Sequence, residues 1–112
     1  MDGMTIFESG AVRGDESKLP RYDLLSPFAL ERLAIVAREG AKKYGETNWL
    51  KGIPIRNLIN HAINHLMQFL MRDESEDHLG HALWNIHAAI HMQTVKPEMD
   101  DRIRYEQFLP KQ

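Results

Sequence analysis

Two stretches of the chain decide the fold: NLINHAINHLMQFLM at residues 57–71 and LGHALWNIHAAIHMQTV at residues 79–95. Neither contains an Asp, Glu, Lys or Arg, yet both carry histidines and asparagines among their apolar residues. A helix face in water is normally rich in Lys and Glu, so neutral polar residues inside an apolar helix indicate a buried or cleft-facing polar stripe. We therefore expect two helices whose polar sides form the functional region.

The first of these helices has a clear division between its faces. At 100° per residue the apolar face is Leu58, Ile59, Ala62, Ile63, Leu66, Phe69 and Leu70, and the polar face is Asn57, His61, Asn64, His65, Gln68 and Arg72. Pro54 can open this helix, which we carry to about Arg72. The next helix is expected to have Asp73 or Ser75 as its cap and to end near Thr94.

A further helix precedes this pair. Ser26 is a suitable N-cap, Pro27 suits the first helical position, and Gly45 follows the predicted end near Tyr44. The predicted apolar side consists of Leu30, Leu33, Ala34, Ala37, Ala41 and Tyr44. Residues 1–25 have no sustained periodicity and are predicted to be an irregular arm. The charged tail, residues 96–112, is predicted to hold one short helix around residues 100–108.

These elements predict an all-α fold: a small antiparallel helical bundle with three main helices and a short C-terminal helix. We interpret residues 1–112 as a single domain whose helical core spans residues 26–95. Each helix carries more apolar surface than one neighbour covers. We therefore expect homo-oligomerisation, as a homodimer or homotetramer, to complete the core.

Composition excludes several classes of function. A formal charge of -2 and the absence of a long basic run argue against nucleic acid as a partner. The chain has no cysteine, so disulfide and thiolate chemistry are excluded. No apolar run reaches the roughly 20 residues that span a bilayer, so no membrane partner is expected. Together these features favour a cytoplasmic protein.

Four histidines are candidate metal ligands: His61, His65, His78 and His81. The first two are spaced i and i+4 and the last two i and i+3, so each pair can reach one ion from a single helix face. If the two helices pack antiparallel, Glu39, Glu76 and Asp77 are available as carboxylates. Imidazole-rich ligation favours Mn, Zn or Co over Mg. The alternative is that these histidines only hydrogen-bond one another and backbone carbonyls. His87 and His91 are expected to pack in the core or at an interface.

Basic and aromatic residues around a loop point to a second kind of site. In EGAKKYGETNWLK, residues 39–51, lysines can neutralise phosphate, an amide can bind a base or sugar, and an indole can stack on a base. The candidates are Lys42, Lys43, Asn48 and Trp49, together with Arg13, Lys18 and Arg21 of the arm. The alternative is that Tyr44 and Trp49 plug the end of the bundle and that the lysines are solvated.

Four ordered blocks carry a family resemblance: SGAVRGDESKLPRYDLLSP (9–27), EGAKKYGETNWLKGIP (39–54), NHAINHL (60–66) and SEDHLGHALWN (75–85). They resemble the small, mostly phage-encoded proteins of the dATP/dGTP diphosphohydrolase N-terminal domain family, which is related to the MazG-like all-α nucleotide pyrophosphohydrolases. Such enzymes remove pyrophosphate from (deoxy)nucleoside triphosphates with divalent ions held by acidic residues. The resemblance implies a nucleotide pocket between helices, completed by oligomerisation.

The chain departs from the MazG-like pattern at the metal site. HLGH (78–81) stands where the second acidic motif would read ELGD, and NHAINH (60–65) takes the place of the first. Imidazoles in place of hard carboxylates weaken Mg²⁺ binding. The chain is therefore expected either to use a softer metal, with Glu39, Glu76 and Asp77 as the remaining acids, or to bind nucleotides without hydrolysing them.

The resemblance leaves more than one function open. In the first, the chain is a metal-dependent, purine-preferring pyrophosphohydrolase that takes dATP or dGTP to a monophosphate and pyrophosphate, with Asp77 or Glu39 orienting the attacking water. In the second, it binds or sequesters a nucleotide without catalysis, through Asn48, Trp49 and Asn85. A third reading is a structural protein whose histidine and asparagine stripe is an oligomer interface.

Overall fold

The computed structural model of this protein describes residues 3–111 and is mostly helical. Its three α-helices are α1 (Pro27–Tyr44), α2 (Ile55–Leu70) and α3 (His78–Val95). Two short strands, β1 (Met4–Ile6) and β2 (Val12–Gly14), precede them, and 3-10 turns lie at Tyr22–Leu24, Trp49–Lys51, Pro97–Met99 and Tyr105–Phe108. The prediction of a small all-α bundle is confirmed. Residues 1, 2 and 112, the outer ends of the predicted arm and tail, lie outside the described residues.

The arm contains a hairpin where the sequence predicted irregular structure. β1 and β2 pair antiparallel, with Met4 opposite Gly14 and Ile6 opposite Val12. Gly10, in the connecting turn, has a φ of 92°, a conformation that favours glycine. Strands of three residues are too short to show an alternating pattern, which is why the sequence did not predict them.

The ends of α1 and α2 are fixed by local hydrogen bonds. As predicted, the Ser26 hydroxyl accepts the Ala29 amide at 3.3 Å and caps α1. α2 ends in a Schellman motif, in which the Arg72 amide donates to the Phe69 carbonyl at 3.0 Å and the Asp73 amide to the Gln68 carbonyl at 3.1 Å. Arg72 has a φ of 62°, the left-handed conformation that this motif requires. The chain therefore reverses abruptly after α2.

The predicted cap of α3 was wrong. Asp77, not Asp73 or Ser75, is the N-cap, and its side chain accepts the Gly80 amide at 3.0 Å. Asp73 is already part of the motif that ends α2, and its carboxylate binds Ser75 and His78 instead. The first turn of α3 consequently begins at His78, directly beside the C-terminal end of α2.

The helices α2 and α3 pack antiparallel, as expected. Ile55 and Leu58 at the start of α2 pack with Ala88, Ala89 and Met92 near the end of α3. At the opposite end of the pair, His65 of α2 lies against His78 of α3. The pair therefore has an apolar end, covered in part by Trp49, Ile53, Trp84 and Met99, and a histidine-rich end.

The helix α1 docks on α3 along a narrow strip. Val36 is its buried residue, and a Cβ added to Gly80 of α3 would lie 3.2 Å from the Val36 Cγ2 atom, so the two helices approach closely at this point. The predicted apolar side of α1 was therefore misplaced. Leu33 and Ala41 are half-buried, but Leu30, Ala34, Ala37 and Tyr44 are exposed. The ion pair between Arg32 and Asp77, described below, selects the face that packs.

The tail forms turns rather than the predicted helix over residues 100–108. Its two 3-10 turns are Pro97–Met99 and Tyr105–Phe108. The Asp101 carboxylate accepts the Arg56 amide at 2.9 Å, so the tail satisfies a free donor at the start of α2. Met99 packs over Gly52, whose φ of 118° and lack of a side chain leave room for the sulfur.

The molecule is extended for its length. Its radius of gyration is 19.7 Å, whereas a compact chain of this size has a value near 13 Å. Leu58 and Ala62 of the apolar face of α2 are buried against α3, but five other members of that face are exposed: Ile59, Ile63, Leu66, Phe69 and Leu70. None of the helices in residues 3–111 combines the length and apolar character that crossing a bilayer requires.

Candidate functional site

A group of three potential metal ligands lies where α2 and α3 meet. His65, Glu76 and His81 each offer one ligand atom, and these atoms all lie within 4.8 Å of one another. The Schellman motif and the short connection after it bring Glu76 back beside His65. The Asp77 cap then places His81 on the first turn of α3. Two imidazoles and a carboxylate at this spacing can bind one divalent ion.

His78 lies behind this group and connects it to Asp73. The ring is only 2% exposed, and its Nε2 atom lies 2.5 Å from the Asp73 carboxylate. Its Nδ1 atom lies 3.0 Å from Nδ1 of His65. Both ring nitrogens of His78 are therefore used by protein partners. The Ser75 hydroxyl also donates to Asp73 at 2.6 Å, and this bond together with that to His78 keeps the pKa of Asp73 below its ordinary value.

His65 is held on two sides. Its ring stacks on that of His81, with centroids 4.9 Å apart and planes 17° from parallel. Its Nδ1 atom is also 3.2 Å from a carboxylate oxygen of Glu76. Burial, followed by the positive charge that His81 would carry, lowers the pKa of His65. His65 is consequently neutral at neutral pH, which is the form that binds a metal ion.

Asp77 is occupied by a neighbour on α1. The Arg32 guanidinium binds its carboxylate with two hydrogen bonds, one of them from Nε at 3.0 Å. Its hydrogen bonds lower the pKa of Asp77 to about 2. Partial burial raises this pKa, and the hydrogen bond from the Gly80 amide lowers it further. Asp77 is therefore charged at neutral pH, and its oxygens are engaged by Arg32 and by the start of α3.

A cleft opens beside the three-residue group. It has a volume of about 530 Å³, and its lining includes Arg32, Arg72, Glu76, Asp77 and His78. Two arginines thus face a cleft next to a potential metal site. The sequence prediction included neither as a site residue. Arg72 was visible only as the single charge on the polar face of α2, and Arg32 carried no signal beyond its charge.

The four predicted metal ligands do not all belong to the three-residue group. His65 and His81 belong to the three-residue group. His78 contacts His65 but has both ring nitrogens committed, and Glu76 takes its place in the group. His61, one turn before His65 on α2, is exposed and lies outside the group.

The remaining predicted site residues are spread over the molecule. Glu39 pairs on α1 with Arg38 at 3.1 Å and with Lys42 at 3.9 Å, and it stands about 10 Å along the helix axis from Arg32. In the arm, Arg13 pairs with Glu16 and Arg21 with Asp23, each between exposed side chains. Lys18, Lys42, Lys43 and Asn48 are exposed.

Two predicted nucleotide-binding residues are packed rather than exposed. The Trp49 ring lies 4.8 Å from that of His91 and 5.6 Å from that of Trp84, so it covers the apolar end of the bundle. Asn85 lies one turn after His81 on α3 and is 8% exposed. Its side-chain amide donates to the His81 carbonyl at 2.9 Å. Asn85 is thus directly beneath the candidate site, whereas Trp49 is at the other end.

The fold and the site define an all-α protein with a histidine and carboxylate cluster between two antiparallel helices and an arginine-lined cleft beside it. The family model described as dATP/dGTP diphosphohydrolase, N-terminal, matches residues 9–102. This match spans most of the chain, and the chain belongs to that family. No curated protein and no solved structure matches it significantly.

Proposed function

We propose that this protein is a metal-dependent deoxynucleoside triphosphate pyrophosphohydrolase that converts dATP or dGTP to the monophosphate and pyrophosphate. The observation that carries the proposal is the group of His65, Glu76 and His81 at the edge of an arginine-lined cleft. The family description supplies the substrate class. Divalent ions and arginines are groups that stabilise the negative charge of a triphosphate during hydrolysis.

The ligand set favours a softer ion than Mg²⁺. Two neutral imidazoles and one carboxylate suit Mn²⁺, Zn²⁺ or Co²⁺, whereas Mg²⁺ prefers oxygen ligands. His65, Glu76 and His81 would hold the ion with three protein ligands, and a phosphate oxygen and a water could bind it as well.

The cleft supplies the positive charge for the phosphates. Arg32 and Arg72 both line it, but Arg32 is paired with Asp77. No ion pair forms at Arg72 within residues 3–111, so its guanidinium is available for bidentate contact with a phosphate. In this proposal Arg72 binds the triphosphate. The predicted contributions of Lys42 and Lys43, at the end of α1, and of Lys18 and Arg21, in the arm, would require these segments to approach the cleft.

The reaction adds water to the α-phosphorus. The water oxygen forms a bond to that phosphorus, the bond from the phosphorus to the bridging oxygen breaks, and pyrophosphate leaves. The water loses a proton as it attacks, and in this proposal the Glu76 carboxylate accepts that proton. Asp77 was predicted to orient the water. In this proposal it contributes instead by binding Arg32. Glu39 pairs with Arg38 and Lys42 on α1, and its role in orienting the water stays a prediction.

The test is product analysis with purified protein, each of the four dNTPs and Mg²⁺, Mn²⁺, Zn²⁺ or Co²⁺ in turn. We expect pyrophosphate and the deoxynucleoside monophosphate in equal amounts with one of the softer ions. Replacing His81 with Gln removes a ligand and should lower kcat by at least about 100-fold, as loss of a charge-stabilising contact in a catalytic site does.

The matched control is His91→Gln, because it makes the same change on the same helix, outside the ligand group. It should retain turnover, and circular dichroism should show both variants folded. Equal turnover in wild type and His81→Gln, or no products with any ion, would contradict the proposal.

A second candidate function is nucleotide binding without hydrolysis. It is favoured by one observation: the ligand group holds a single carboxylate, and the neighbouring Asp77 is neutralised by Arg32. Fewer negative charges give weaker attraction for the cations that bridge a triphosphate. Tight retention of a dNTP that is recovered unchanged after incubation with each metal would identify this function.

We also propose that a second copy of the chain covers the exposed face of α2. Five apolar side chains of that face are exposed, and the chain is far less compact than its length allows. A face shared by two identical copies is buried twice in a symmetric dimer. Because His65 is on the same helix, assembly and the site are expected to stabilise each other.

A further inference from the structure

We infer that His87 and His91 form a second divalent-metal site, near the C-terminal end of α3, which takes a borderline ion such as Cu²⁺, Ni²⁺ or Zn²⁺. The two histidines are spaced i and i+4, so they lie on one face of the helix with Cβ atoms about 5 to 6 Å apart. Two imidazoles at this spacing on one helix can bind a single ion. The site is independent of the proposed function.

Both rings of the His87 and His91 pair lie against the indole of Trp49. The Trp49 ring centroid is 5.3 Å from that of His87 and 4.8 Å from that of His91. Because one indole contacts both imidazoles, the two rings project to the same side of α3. Both histidines are half-buried, and this packing restricts their side chains before an ion arrives. Less conformational entropy is therefore lost on binding.

His87 also has the contact that metal-binding histidines usually make with their second ring nitrogen. Its Nδ1 atom lies 3.2 Å from the backbone carbonyl oxygen of Trp84. A carbonyl oxygen can only accept, so Nδ1 donates whether the ring is neutral or charged. Nε2 is then the atom that can bind an ion. A backbone carbonyl behind an imidazole orients the ring toward its metal.

The ring nitrogens needed for binding are open to solvent. Within residues 3–111, the recorded hydrogen bond of the pair is the one from His87 Nδ1 to Trp84. No buried side-chain nitrogen in that range lacks a partner, so His87 Nε2 and the nitrogens of His91 are not buried. An ion can therefore reach them from water. A pair of nitrogen ligands favours Cu²⁺, Ni²⁺ or Zn²⁺ over Mg²⁺, which prefers oxygen.

The pair is separate from the group of His65, Glu76 and His81. His87 and His91 follow His81 by six and ten residues, which is roughly 9 and 15 Å along the axis of α3. One ion cannot join both sets. An ion at the pair therefore takes no part in the proposed reaction, and His91→Gln is still expected to retain turnover.

The experiment follows Cu²⁺ binding by tryptophan fluorescence, which a nearby Cu²⁺ quenches. The chain has two tryptophans, Trp49 and Trp84, and both rings lie within 6 Å of the His87 ring, at 5.3 and 5.9 Å between centroids. The parent protein is the full chain with His65→Gln, because this change disables the three-residue group and the spacing of His61 with His65. We expect saturable quenching in this parent.

The test variants each remove one ligand of the pair. His87→Gln or His91→Gln, added to the parent, should raise the Cu²⁺ concentration for half-quenching at least about 10-fold, since loss of even a group behind a ligand weakens metal binding 10- to 100-fold. The matched control is His61→Gln, the same change at an exposed histidine of α2, which should have no effect. Electron paramagnetic resonance of the Cu²⁺ complex should show two imidazole nitrogens in the parent and one in each test variant.

Half-quenching at the parent's Cu²⁺ concentration in both test variants would overturn the inference, and so would a single imidazole nitrogen in the parent. Circular dichroism checks that each protein is folded. If His65→Gln does not fold, His81→Gln replaces it as the parent, and if a test variant does not fold, the nitrogen count in the parent decides. These readouts use no nucleotide, so failure of the proposed function leaves them unchanged.

Discussion

At the scale of single residues, Asp77 joins three parts of the molecule. Its carboxylate caps α3 through the Gly80 amide, binds Arg32 of α1, and lies next to Glu76 of the ligand group. One short side chain thus fixes where α3 begins and how α1 docks. The sequence made Asp77 a candidate functional carboxylate, but the partner that occupies it is 45 residues away along the chain.

The charge of Asp77 predicts a pH dependence of stability. Its pKa is about 2 in the folded protein, against an ordinary value of 3.8. A depressed pKa means that the folded state favours the charged form. Its contribution is therefore present above about pH 4 and is lost as the pH falls towards 2.

Asp77→Asn isolates this effect, because Asn still caps a helix but has no charge with which to form an ion pair with Arg32. Above pH 4 we expect the variant to be less stable by about 0.5 to 1 kcal/mol, a modest value because both side chains are partly exposed. Urea unfolding from pH 7 to pH 2 should show the difference shrinking below pH 4. A difference that is constant over this range would show that the ion pair does not matter.

At the scale of secondary structure elements, two glycines in helices have different roles. A Cβ on Gly80 of α3 would lie 2.3 Å from an Asp77 carboxylate oxygen and 3.2 Å from Val36, whereas a Cβ on Gly40 of α1 would meet nothing within 4 Å. A side chain on Gly80 would therefore displace the Asp77 cap and would press on Val36 of α1. Gly40 has no such contact and only lowers the stability of α1 through the low helix propensity of glycine.

These two glycines give a matched pair of substitutions. Gly40→Ala should raise the free energy of unfolding by about 1 kcal/mol, the difference in helix propensity between the two residues. Gly80→Ala should lose that gain and become destabilising, because the Asp77 cap and its pair with Arg32 must shift. Urea unfolding at pH 7 measures both. Equal stabilisation by both would show that the docking of α1 tolerates a methyl group.

At the scale of the whole molecule, the exposed apolar surface of α2 is the dominant feature. Its apolar face was predicted correctly from periodicity, but only part of it is covered by α3, and α1 docks on α3 instead. The radius of gyration reflects the same arrangement. A second copy is the occupant that we propose for the uncovered part.

This proposal predicts the behaviour of a charge on that face. Ile63 is 53% exposed, so Ile63→Asp costs little in an isolated chain but places a charge in a shared interface. Light scattering after size exclusion should give a mass at least twice 13.0 kDa for the wild type and a smaller assembly for the variant. The control is Ile35→Asp on α1, also exposed, which should leave the mass unchanged. A monomeric wild type would contradict the proposal.

The sequence by itself determined the helices, their antiparallel order and the region of the site. Periodicity, the cap at Ser26, Pro27 and the lack of charge in residues 57–71 are local signals that a single chain segment carries. They also singled out His65 and His81, which the structure brings together with Glu76 in the candidate group. The family resemblance, confirmed by the family match, gave the class of chemistry to look for.

Only the tertiary structure decided which side chains meet. Glu76, and neither His61 nor His78, joins the candidate metal ligands. Arg32 binds Asp77, and Arg72 lines the cleft. Each of these contacts depends on how separate elements are placed in space. The docking face of α1 has Val36 against Gly80 and Arg32 paired with Asp77, a combination that the helical apolar pattern did not predict. Such contacts join residues far apart in the chain, and no local pattern of residue types encodes the distances between them.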